Sequence, residues 1–166
     1  MLNVDHIDSP VGPLTVAEHD GVLCLLHFGR GGGVRAALGR WYPKEGVEHQ
    51  ACETRRILRR YFAGDLSALD EAPVELNGTP FQRRVWTALR SIPPGSTLSY
   101  SELARRVGAL SAVRAVGAAN GANPVALVVP CHRVIGANGT LVGYGGGLPR
   151  KRWLLAHEGV TTPSLF

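Results

Sequence analysis

The stretch Ser99–Gly121, SYSELARRVGALSAVRAVGAANG, has the pattern of two short helices joined by a tight turn. Ser99 and Glu102 have the spacing of a capping box, which predicts the start of the first helix. Gly108 lies in the predicted turn, and Ser111 is the predicted cap of the second helix. Two helices connected in this way are typical of a helix-turn-helix, so the stretch indicates a DNA-binding fold.

The second predicted helix carries almost no side-chain bulk, because small residues fill most of it: Ala112, Ala115, Gly117, Ala118, Ala119. Its one long cationic side chain is Arg114. Such a helix can approach a nucleic-acid backbone closely, which suits shape-driven contact in the minor groove better than base readout. The alternative is a small-residue helix packed tightly in a core, with Arg114 at its rim.

The charge is distributed unevenly along the 166 residues, whose formal net charge is +5. Residues 1–80 carry 8 Lys/Arg against 11 Asp/Glu, whereas residues 81–166 carry 10 against 2. A basic domain beside an acidic one is typical of proteins that bind a phosphate backbone, so the asymmetry favours DNA as the partner. A merely solvated basic surface is the alternative.

The first half of the chain predicts a small strand-rich domain. Turn residues within Ile7–Ala17 indicate a hairpin, and Gly21–Phe28 reads as a further strand. Gly29–Gly33 lacks both phosphate-binding glycine patterns, so we interpret it as a flexible connection. Helical spacing predicts a helix over Glu48–Phe62, and turn residues make Asp70–Thr79 the expected linker.

The second half predicts mostly helices. Thr79 is the expected cap of a strong helix that has Pro80 at its first position and an apolar side formed by Phe81, Val85, Trp86 and Leu89. The expected fold class is therefore α/β of the α+β kind, with a strand-rich N-terminal domain and a mostly helical C-terminal domain that holds the helix-turn-helix.

Cysteine usage and hydropathy limit the class of protein. The chain has three cysteines, and no apolar run reaches the length of a membrane span. These features predict free thiols in a reducing compartment, hence a soluble cytoplasmic protein without a signal peptide. Cys24-x-x-His27 and His49-x-x-Cys52 offer zinc-type ligands, but residues three apart on a strand face opposite sides, so we expect no metal.

The segment Val128–Val134 has the composition of a reactive site. Cys131 ends an apolar, strand-like run after Pro130, and His132 and Arg133 follow it. A thiol is a strong nucleophile only as thiolate, which needs a nearby cation or base at neutral pH. The next two residues offer both.

With these motifs the chain resembles the O6-alkylguanine-DNA alkyltransferases, the family of methylated-DNA–protein-cysteine methyltransferases. The resemblance covers roughly residues 74–160, and the N-terminal half resembles the family more loosely. The matching motifs are Phe81-Gln82-x-x-Val85-Trp86, Tyr100, Arg114-Ala115-Val116-Gly117, Ala119-Asn120, Asn123-Pro124, Pro130-Cys131-His132-Arg133-Val134, Gly143-Tyr144-x-Gly146-Gly147 and Trp153-Leu154-Leu155-x-x-Glu158-Gly159.

The resemblance implies DNA repair by direct alkyl transfer. The family flips an alkylated base out of double-stranded DNA, bound through the minor groove, into a pocket. A cysteine then attacks the alkyl carbon on O6 of guanine, or on O4 of thymine, without a cofactor. The S-alkyl-cysteine has no good leaving group, so each molecule acts once, as a stoichiometric methyltransferase. The implied domains are a ribonuclease-H-like domain at 1–72, a linker at 73–79 and the alkyl-transfer domain at 80–166.

The resemblance also assigns roles around the cysteine. Cys131 would be the nucleophile, His132 its base and Glu158 the residue that orients His132. Adjacent residues in an extended chain point to opposite faces. We therefore expect either a backbone turn after Pro130 or a water between Cys131 and His132.

Other roles follow by position. Tyr100 would donate toward the flipped guanine, Asn123 would act as a hinge, and Arg114 would fill the gap left by the extruded nucleotide. The remaining DNA-binding positions are Ser99, Ala115, Gly117 and Ala118. The pocket positions are Pro130, Val134, Tyr144, Gly145 and Gly146. Many family members have serine where Gly145 stands, so a backbone N–H would serve O6 here.

Two other classes of protein share part of this pattern. A non-catalytic sensor of alkylated DNA on the same scaffold commonly has tryptophan at the position of Cys131. A Cys-His hydrolase would need the cysteine at a helix N-terminus with its histidine far downstream. We expect a monomer, nucleoid-associated if bacterial. The alkyl-group range, cooperativity on DNA and the role of the N-terminal domain are left open.

Overall fold

The computed structural model describes residues 1–137, 139 and 143–160. These residues form two compact units. The first comprises Met1–Asn77 and Pro124–Val128, and the second comprises Gly78–Asn123 and the chain from Val129 onward. Strands dominate the first unit and helices the second, which confirms the expected α+β class.

The first unit is built on a four-stranded sheet with the order β3-β2-β1-β4. The strands are β1 (Leu2–Ile7), β2 (Leu14–His19), β3 (Val22–Phe28) and β4 (Val47–His49). The predicted hairpin is confirmed, since β1 and β2 pair in antiparallel fashion. The Ser9 hydroxyl donates to the Gly12 carbonyl in their connection, where Gly12 takes a φ of 94° that favours glycine.

Two helices of this unit differ from the sequence prediction. The helix predicted over Glu48–Phe62 is wrong at its start, because Glu48 pairs with Asn3 in the parallel β1–β4 ladder. The helix α2 spans Thr54–Phe62 only. Its start is set by the carboxylate of Glu18, which accepts hydrogen bonds from the backbone of Glu53 and Thr54. This cap comes from a neighbouring strand, so local spacing does not reveal it.

The helix α1 (Val34–Trp41) was not predicted. It follows Gly29–Gly33 directly, and Gly33 is its N-cap residue. The glycines are therefore more than a flexible connection, since Gly31 lies against the side chains of His6 and Thr15. The apolar side of α1 packs on the sheet through Val34, Ala37 and Leu38.

The segment before the cysteine is not the strand that its apolar residues predict. Val125 forms one isolated bridge with Leu26 of β3, and the chain then turns. The N–H of Val128 donates to the carbonyl of Ala126 at 2.8 Å, with the intervening Leu127 at a φ of 69°. Positive φ is costly for leucine, and this turn ends sheet pairing.

The second unit holds the helices α3 (Pro80–Leu89), α4 (Tyr100–Arg106), α5 (Val113–Gly121) and α6 (Leu148–His157). It also holds a two-stranded parallel sheet of β5 (Leu98–Ser99) and β6 (Val134–Ile135). The predicted caps of α3 and α4 are confirmed. Thr79 with Gln82, and Ser99 with Glu102, form capping boxes in which each side chain bonds the other residue's backbone.

The helix-turn-helix is confirmed as α4, a short turn and α5, but the predicted cap of α5 is wrong. Ser111 lies inside a 3-10 helix, Leu110–Ala112, and Ala112 is the N-cap residue. The N–H of Ala112 donates to the carbonyl of Ala109 at 2.8 Å, and this tight turn delays the α-helix. Trp86 is 1% exposed and donates from Nε1 to the carbonyl of Ala119, which fixes α3 against α5.

Candidate active site and nucleic-acid interface

Cys131 is presented by a sharp turn. The N–H of Cys131 donates to the carbonyl of Val129 at 2.8 Å, and Pro130 between them has φ −81° and ψ 67°. Cys131 then begins a 3-10 helix, Cys131–Arg133, so the backbone turns after Pro130 as expected. The Nδ2 of Asn123 donates to the same Val129 carbonyl at 2.7 Å, which ties the end of α5 to this turn.

Burial of Cys131 and the hydrogen-bond donors around it shift the pKa of its thiol in opposite directions. Its side chain is almost fully buried, and burial raises the pKa of the thiol above its ordinary value. Hydrogen bonding from Asn123, the positive charge of Lys151 and hydrogen bonding from Tyr144 oppose that rise. The resting form is therefore the thiol, held among groups that would stabilise its thiolate.

His132 and Glu158 form a buried pair in the same unit. His132 Nε2 lies 2.8 Å from Glu158 Oε2, and both side chains are inaccessible to solvent. Burial raises the pKa of Glu158, but His132 and Arg133 outweigh it and hold that pKa well below its usual range. Because Glu158 is ionised, the nitrogen facing it must donate, so His132 carries its proton on Nε2.

The other nitrogen of His132 is the basic one. Burial lowers the pKa of His132, despite the opposing charge of Glu158, so the ring is neutral at neutral pH. Its Nδ1 is buried and has no hydrogen-bonding partner among the described residues. The arrangement can therefore accept one proton at Nδ1 while Glu158 stabilises the resulting imidazolium.

Arg133 has a different role from the one its place beside Cys131 indicates. Its Nε and one terminal nitrogen bond the two oxygens of Glu158 at 2.7 and 3.0 Å. Its remaining terminal nitrogen donates to the carbonyl of Ile92 at 2.6 Å. The guanidinium is thus committed to positioning Glu158, and Lys151 is the cation whose charge opposes the rise that burial causes in the pKa of Cys131.

Lys151 is the functional residue that the sequence analysis missed. Its side chain is 0% exposed, and Nζ donates to the carbonyl of Val134 at 2.6 Å and lies 5.9 Å from the centre of the Tyr144 ring. Burial lowers its pKa to about 8. The signal in the sequence was its spacing of three and four from Leu154 and Leu155, which are buried on the same side of α6.

Tyr100 and Asn120 meet at the start of the helix-turn-helix. Tyr100 is the first residue of α4 and is half-buried. Burial and the charge of Cys131 raise the pKa of its hydroxyl, while hydrogen bonding with Asn120 lowers it. A side chain added at Gly117 would lie in ordinary contact with the ring of Tyr100, 3.7 Å away. Tyr100, Asn120 and Cys131 therefore share one neighbourhood.

The helix α5 has one buried side and one exposed side. Val116, Ala119 and Asn120 are buried, whereas Arg114, Ala115 and Ala118 are exposed. The alternative of a small-residue helix packed tightly in a core, with Arg114 at its rim, does not fit the exposure of Ala115 and Ala118, and the small side chains leave an open face. Several further arginines of this unit are exposed as well: Arg83, Arg84, Arg105, Arg106, Arg152. The second unit thus combines a smooth helix face with exposed positive charge.

The remaining predicted positions are distributed around the cysteine turn. Val134 is fully buried, and its carbonyl is the acceptor of the Lys151 bond. Pro130 is buried, whereas Gly145 is exposed and Gly146 partly so. A Cβ added at Gly145 would meet no atom within 4 Å, so the backbone there has room for a side chain.

The surroundings of the other two cysteines, Cys24 and Cys52, differ from those of Cys131. Burial raises the pKa of Cys24 to about 11 and, together with the carboxylates of Glu18 and Asp5, that of Cys52 to about 12. Their sulfur atoms contact backbone carbonyls, and no described cluster of His, Cys, Asp or Glu is arranged to hold a metal. Within the described part of the chain, no helix has the length and hydropathy needed to cross a membrane.

Two family models match the chain. The 6-O-methylguanine DNA methyltransferase ribonuclease-like domain matches residues 4–76. The 6-O-methylguanine DNA methyltransferase DNA binding domain matches residues 80–160.

Individual relatives extend over nearly the whole chain. The methylated-DNA–protein-cysteine methyltransferase of Mycobacterium tuberculosis is 48% identical over 164 residues, which cover 99% of this chain and 96% of that protein. A crystal structure of Mycobacterium tuberculosis OGT in complex with DNA has a TM-score of 0.81 and 45% identity, covering 94% of this chain and 92% of the other. The O6-methylguanine-DNA methyltransferase of Pyrococcus kodakaraensis has a TM-score of 0.71 and 27% identity, covering 96% and 100%.

Proposed function

The chain belongs to the 6-O-methylguanine DNA methyltransferase family, and we propose that Cys131 is the residue on which it accepts the alkyl group. The protein repairs DNA by moving an alkyl group from a damaged base to one of its own cysteines. The observation that carries the choice of Cys131 is its surroundings. Burial raises the pKa of both Cys131 and Cys52, but hydrogen-bond donors and the Lys151 cation oppose the rise at Cys131, whereas carboxylates add to it at Cys52.

His132 supplies the base for this transfer. The Cys131 proton passes through a bridging water to Nδ1 of His132, and Glu158 stabilises the imidazolium that forms. The orphaned Nδ1 and the bidentate Arg133–Glu158 contact support this route. Lys151 holds charge beside the thiolate as it appears.

The thiolate then displaces the base. A bond forms between Sγ of Cys131 and the alkyl carbon while the bond from that carbon to O6 of guanine breaks. The electron pair leaves with the guanine, whose developing charge is stabilised by the Tyr100 hydroxyl before the base regains a proton. The product thioether has no good leaving group, so each molecule reacts once. O4-alkylthymine is the second expected substrate.

DNA binding uses the helix-turn-helix. The exposed small face of α5, with Ser99 at the start of the motif, lies in the minor groove of double-stranded DNA, and Arg114 fills the space of the flipped nucleotide. Ala115, Gly117 and Ala118 permit the close approach. Exposure of Arg114 and the lack of bulk around it support this assignment, and the protein binds as a monomer.

The pocket for the flipped base is formed by the residues that follow the turn. Pro130, Val134, Tyr144, Gly145 and Gly146 line it, and Asn123 is the hinge between α5 and the cysteine. The Asn123–Val129 bond and the open space at Gly145 support these positions. The backbone N–H of Gly145 donates a hydrogen bond to O6 of the flipped guanine, in place of the serine hydroxyl that is lacking here.

Two organisational proposals accompany this function. The proposed domains are residues 1–72 and 80–166 with a linker at 73–79, and the family match that begins at residue 80 supports the start of the second domain. The location is cytoplasmic, because all three cysteines are free thiols of the kind that a reducing compartment preserves.

The alternative of a non-catalytic lesion sensor is not favoured, since a nucleophile is present.

The test compares Cys131→Ser with Cys52→Ser, each of which removes one buried thiol. We expect Cys131→Ser to bind an O6-methylguanine duplex with unchanged affinity but to remove no methyl group. We expect Cys52→Ser to repair at the wild-type rate, because serine can still donate to the Asn3 carbonyl. Repair by Cys131→Ser would refute the assignment. Circular dichroism establishes that both variants are folded.

A further inference from the structure

The first unit contains a cavity of about 220 Å³ whose walls are cationic. The polar lining comprises His6, Thr15, Arg30, Arg35 and His49, and none of the described lining residues is acidic. The floor is apolar and includes Val4, Val34 and Leu38. A concave site with an apolar floor and a few convergent polar groups is the usual form of a small-molecule site.

One wall of the cavity is fixed by hydrogen bonds. Thr15 is 0% exposed and donates its single hydroxyl proton to the carbonyl of Gly29 at 2.8 Å. Its Oγ1 must therefore accept from Nδ1 of His6, 3.1 Å away, which leaves Nε2 of His6 facing a ligand as an acceptor in the neutral ring and as a donor in the imidazolium. Gly31, at a φ of 96°, lies against both side chains. The ring of His49 is stacked on that of His6, with 6.4 Å between centroids.

The two arginines of the cavity have no counterion among the residues that the structure describes. Neither Arg30 nor Arg35 forms an ion pair with a residue that the structure describes, whereas three of the four arginines of α2, namely Arg55, Arg56 and Arg60, each pair with a carboxylate. Residues 1–80 carry more acidic than basic side chains, so this half has no general attraction for a polyanion. Arg30 and Arg35 therefore place at the cavity positive charge that no described carboxylate neutralises.

We propose that this cavity binds a small organic phosphate. The guanidinium groups of Arg30 and Arg35 take the phosphate oxygens, because a planar guanidinium matches that geometry in a bidentate way. His6 and His49 complete the polar wall, and the apolar floor takes the organic part. The recognition comes from side chains, which agrees with the absence of a phosphate-binding glycine pattern in Gly29–Gly33. The small volume of the cavity favours a small molecule over a phosphate of the DNA backbone.

The test uses the full-length protein with phenyl phosphate and inorganic phosphate as probes, and sodium chloride at matched ionic strength as the control. The readout is the imidazole carbon–hydrogen signals of His6 and His49 in NMR spectra. We expect saturable shifts of both signals, with phenyl phosphate binding more tightly than inorganic phosphate. Sodium chloride should cause none of these shifts. Equal shifts with chloride, or no shifts with phenyl phosphate, would refute the proposal.

Two variants that each remove two positive charges distinguish binding in the cavity from general electrostatic attraction. Replacing Arg30 and Arg35 with Gln should weaken phenyl phosphate binding by at least about tenfold, since two charge-assisted contacts are lost. Replacing Arg40 and Arg59, two exposed arginines outside the cavity lining, should leave it unchanged. Both variants should bind unmodified duplex DNA equally. A selective loss of DNA affinity in the first variant, without phosphate shifts in the wild type, would contradict the proposal and identify backbone phosphates as the occupant.

Discussion

Lys151 and Cys131 are a buried cation and a buried nucleophile that alter each other's ionisation. Burial lowers the pKa of Lys151 to about 8 and raises the pKa of Cys131, while their charges oppose both shifts. At neutral pH the lysine is still mostly protonated, so it can stabilise a thiolate that forms beside it. Keeping Lys151 protonated in a buried position lowers the free energy of unfolding. The effect of this charge on activity can therefore be separated from its effect on stability.

Lys151→Met tests that separation, because methionine is apolar and of similar length. We expect the free energy of unfolding at neutral pH to stay equal or to rise by up to about 3 kcal/mol, the cost that a pKa lowered from 10.5 to about 8 represents. We expect alkyl transfer to slow by at least about tenfold, because the thiolate loses its cation. Single-turnover kinetics and urea unfolding measure the two effects, and a variant that is unstable but fully active would contradict the account.

The difference in unfolding free energy between the wild type and Lys151→Met should change with pH in a definite direction. Between about pH 8 and pH 10.5 the unfolded chain holds the Lys151 proton more tightly than the native chain. The wild type should therefore gain stability relative to Lys151→Met as the pH rises through this window, and the difference should be constant below it. Unfolding curves of both proteins at neutral and alkaline pH measure the gap. A gap that stays constant on alkalinisation would show that folding does not lower the pKa of Lys151, and a gap that widens in favour of Lys151→Met would show that folding raises it.

The residues of the site were only partly predictable from the sequence. Cys131, His132 and Glu158 stand in motifs whose spacing is distinctive, and the turn after Pro130 followed from the need to bring neighbours together. Lys151 was missed because it lies between Arg150 and Arg152, a pattern typical of a solvated face. Its burial depends on the packing of α6, which local charge patterning does not encode.

At the scale of elements, those with local end signals were predicted best. The helices α3 and α4 begin at capping boxes that bond within four residues, so the sequence contains the whole interaction. The start of α2 depends on Glu18 from another strand, and that of α5 on a 3-10 turn. The helix α1 follows a glycine run and has no side-chain cap, so no start signal marks it.

Arg114→Ala tests the role of α5, with Arg105→Ala of the neighbouring helix α4 as the matched control. Both arginines are exposed, and each variant removes one charge from the helix-turn-helix. We expect Arg114→Ala to bind the damaged duplex more weakly and to transfer the alkyl group more slowly, because base extrusion is impaired. The effect of Arg105→Ala should be smaller. The rate at which iodoacetamide modifies Cys131 without DNA should be the same in both, and equal repair rates would contradict the role.

At the scale of the whole molecule, charge separates the two halves of the chain. The excess of 10 basic over 2 acidic side chains in residues 81–166 is the electrostatic complement of a phosphate backbone. Residues 1–80 carry the opposite excess, and Arg55, Arg56 and Arg60 of α2 each pair with a carboxylate. Affinity for DNA should therefore come from the second half, with little dependence on base sequence.

Salt titration measures this property. We expect affinity for an undamaged duplex to fall by at least about tenfold between roughly 50 and 200 mM salt, as counterions compete for the phosphates. Replacing Arg83 and Arg84 with Gln should make the salt dependence shallower, whereas the same change at Arg40 and Arg59 should leave it unaltered. Affinity that is insensitive to salt, or an equal effect of both pairs, would contradict the assignment of DNA binding to the second half.

The most direct test of the central claim is the mass of the peptide that contains Cys131. After incubation of the protein with a duplex carrying O6-methylguanine, that peptide should gain the mass of one CH2 group in each molecule that has reacted. The peptides containing Cys24 and Cys52 should be unchanged, and the duplex should contain guanine in place of the lesion. Repaired DNA together with an unchanged Cys131 peptide, or with the added mass on either other cysteine, would contradict the account.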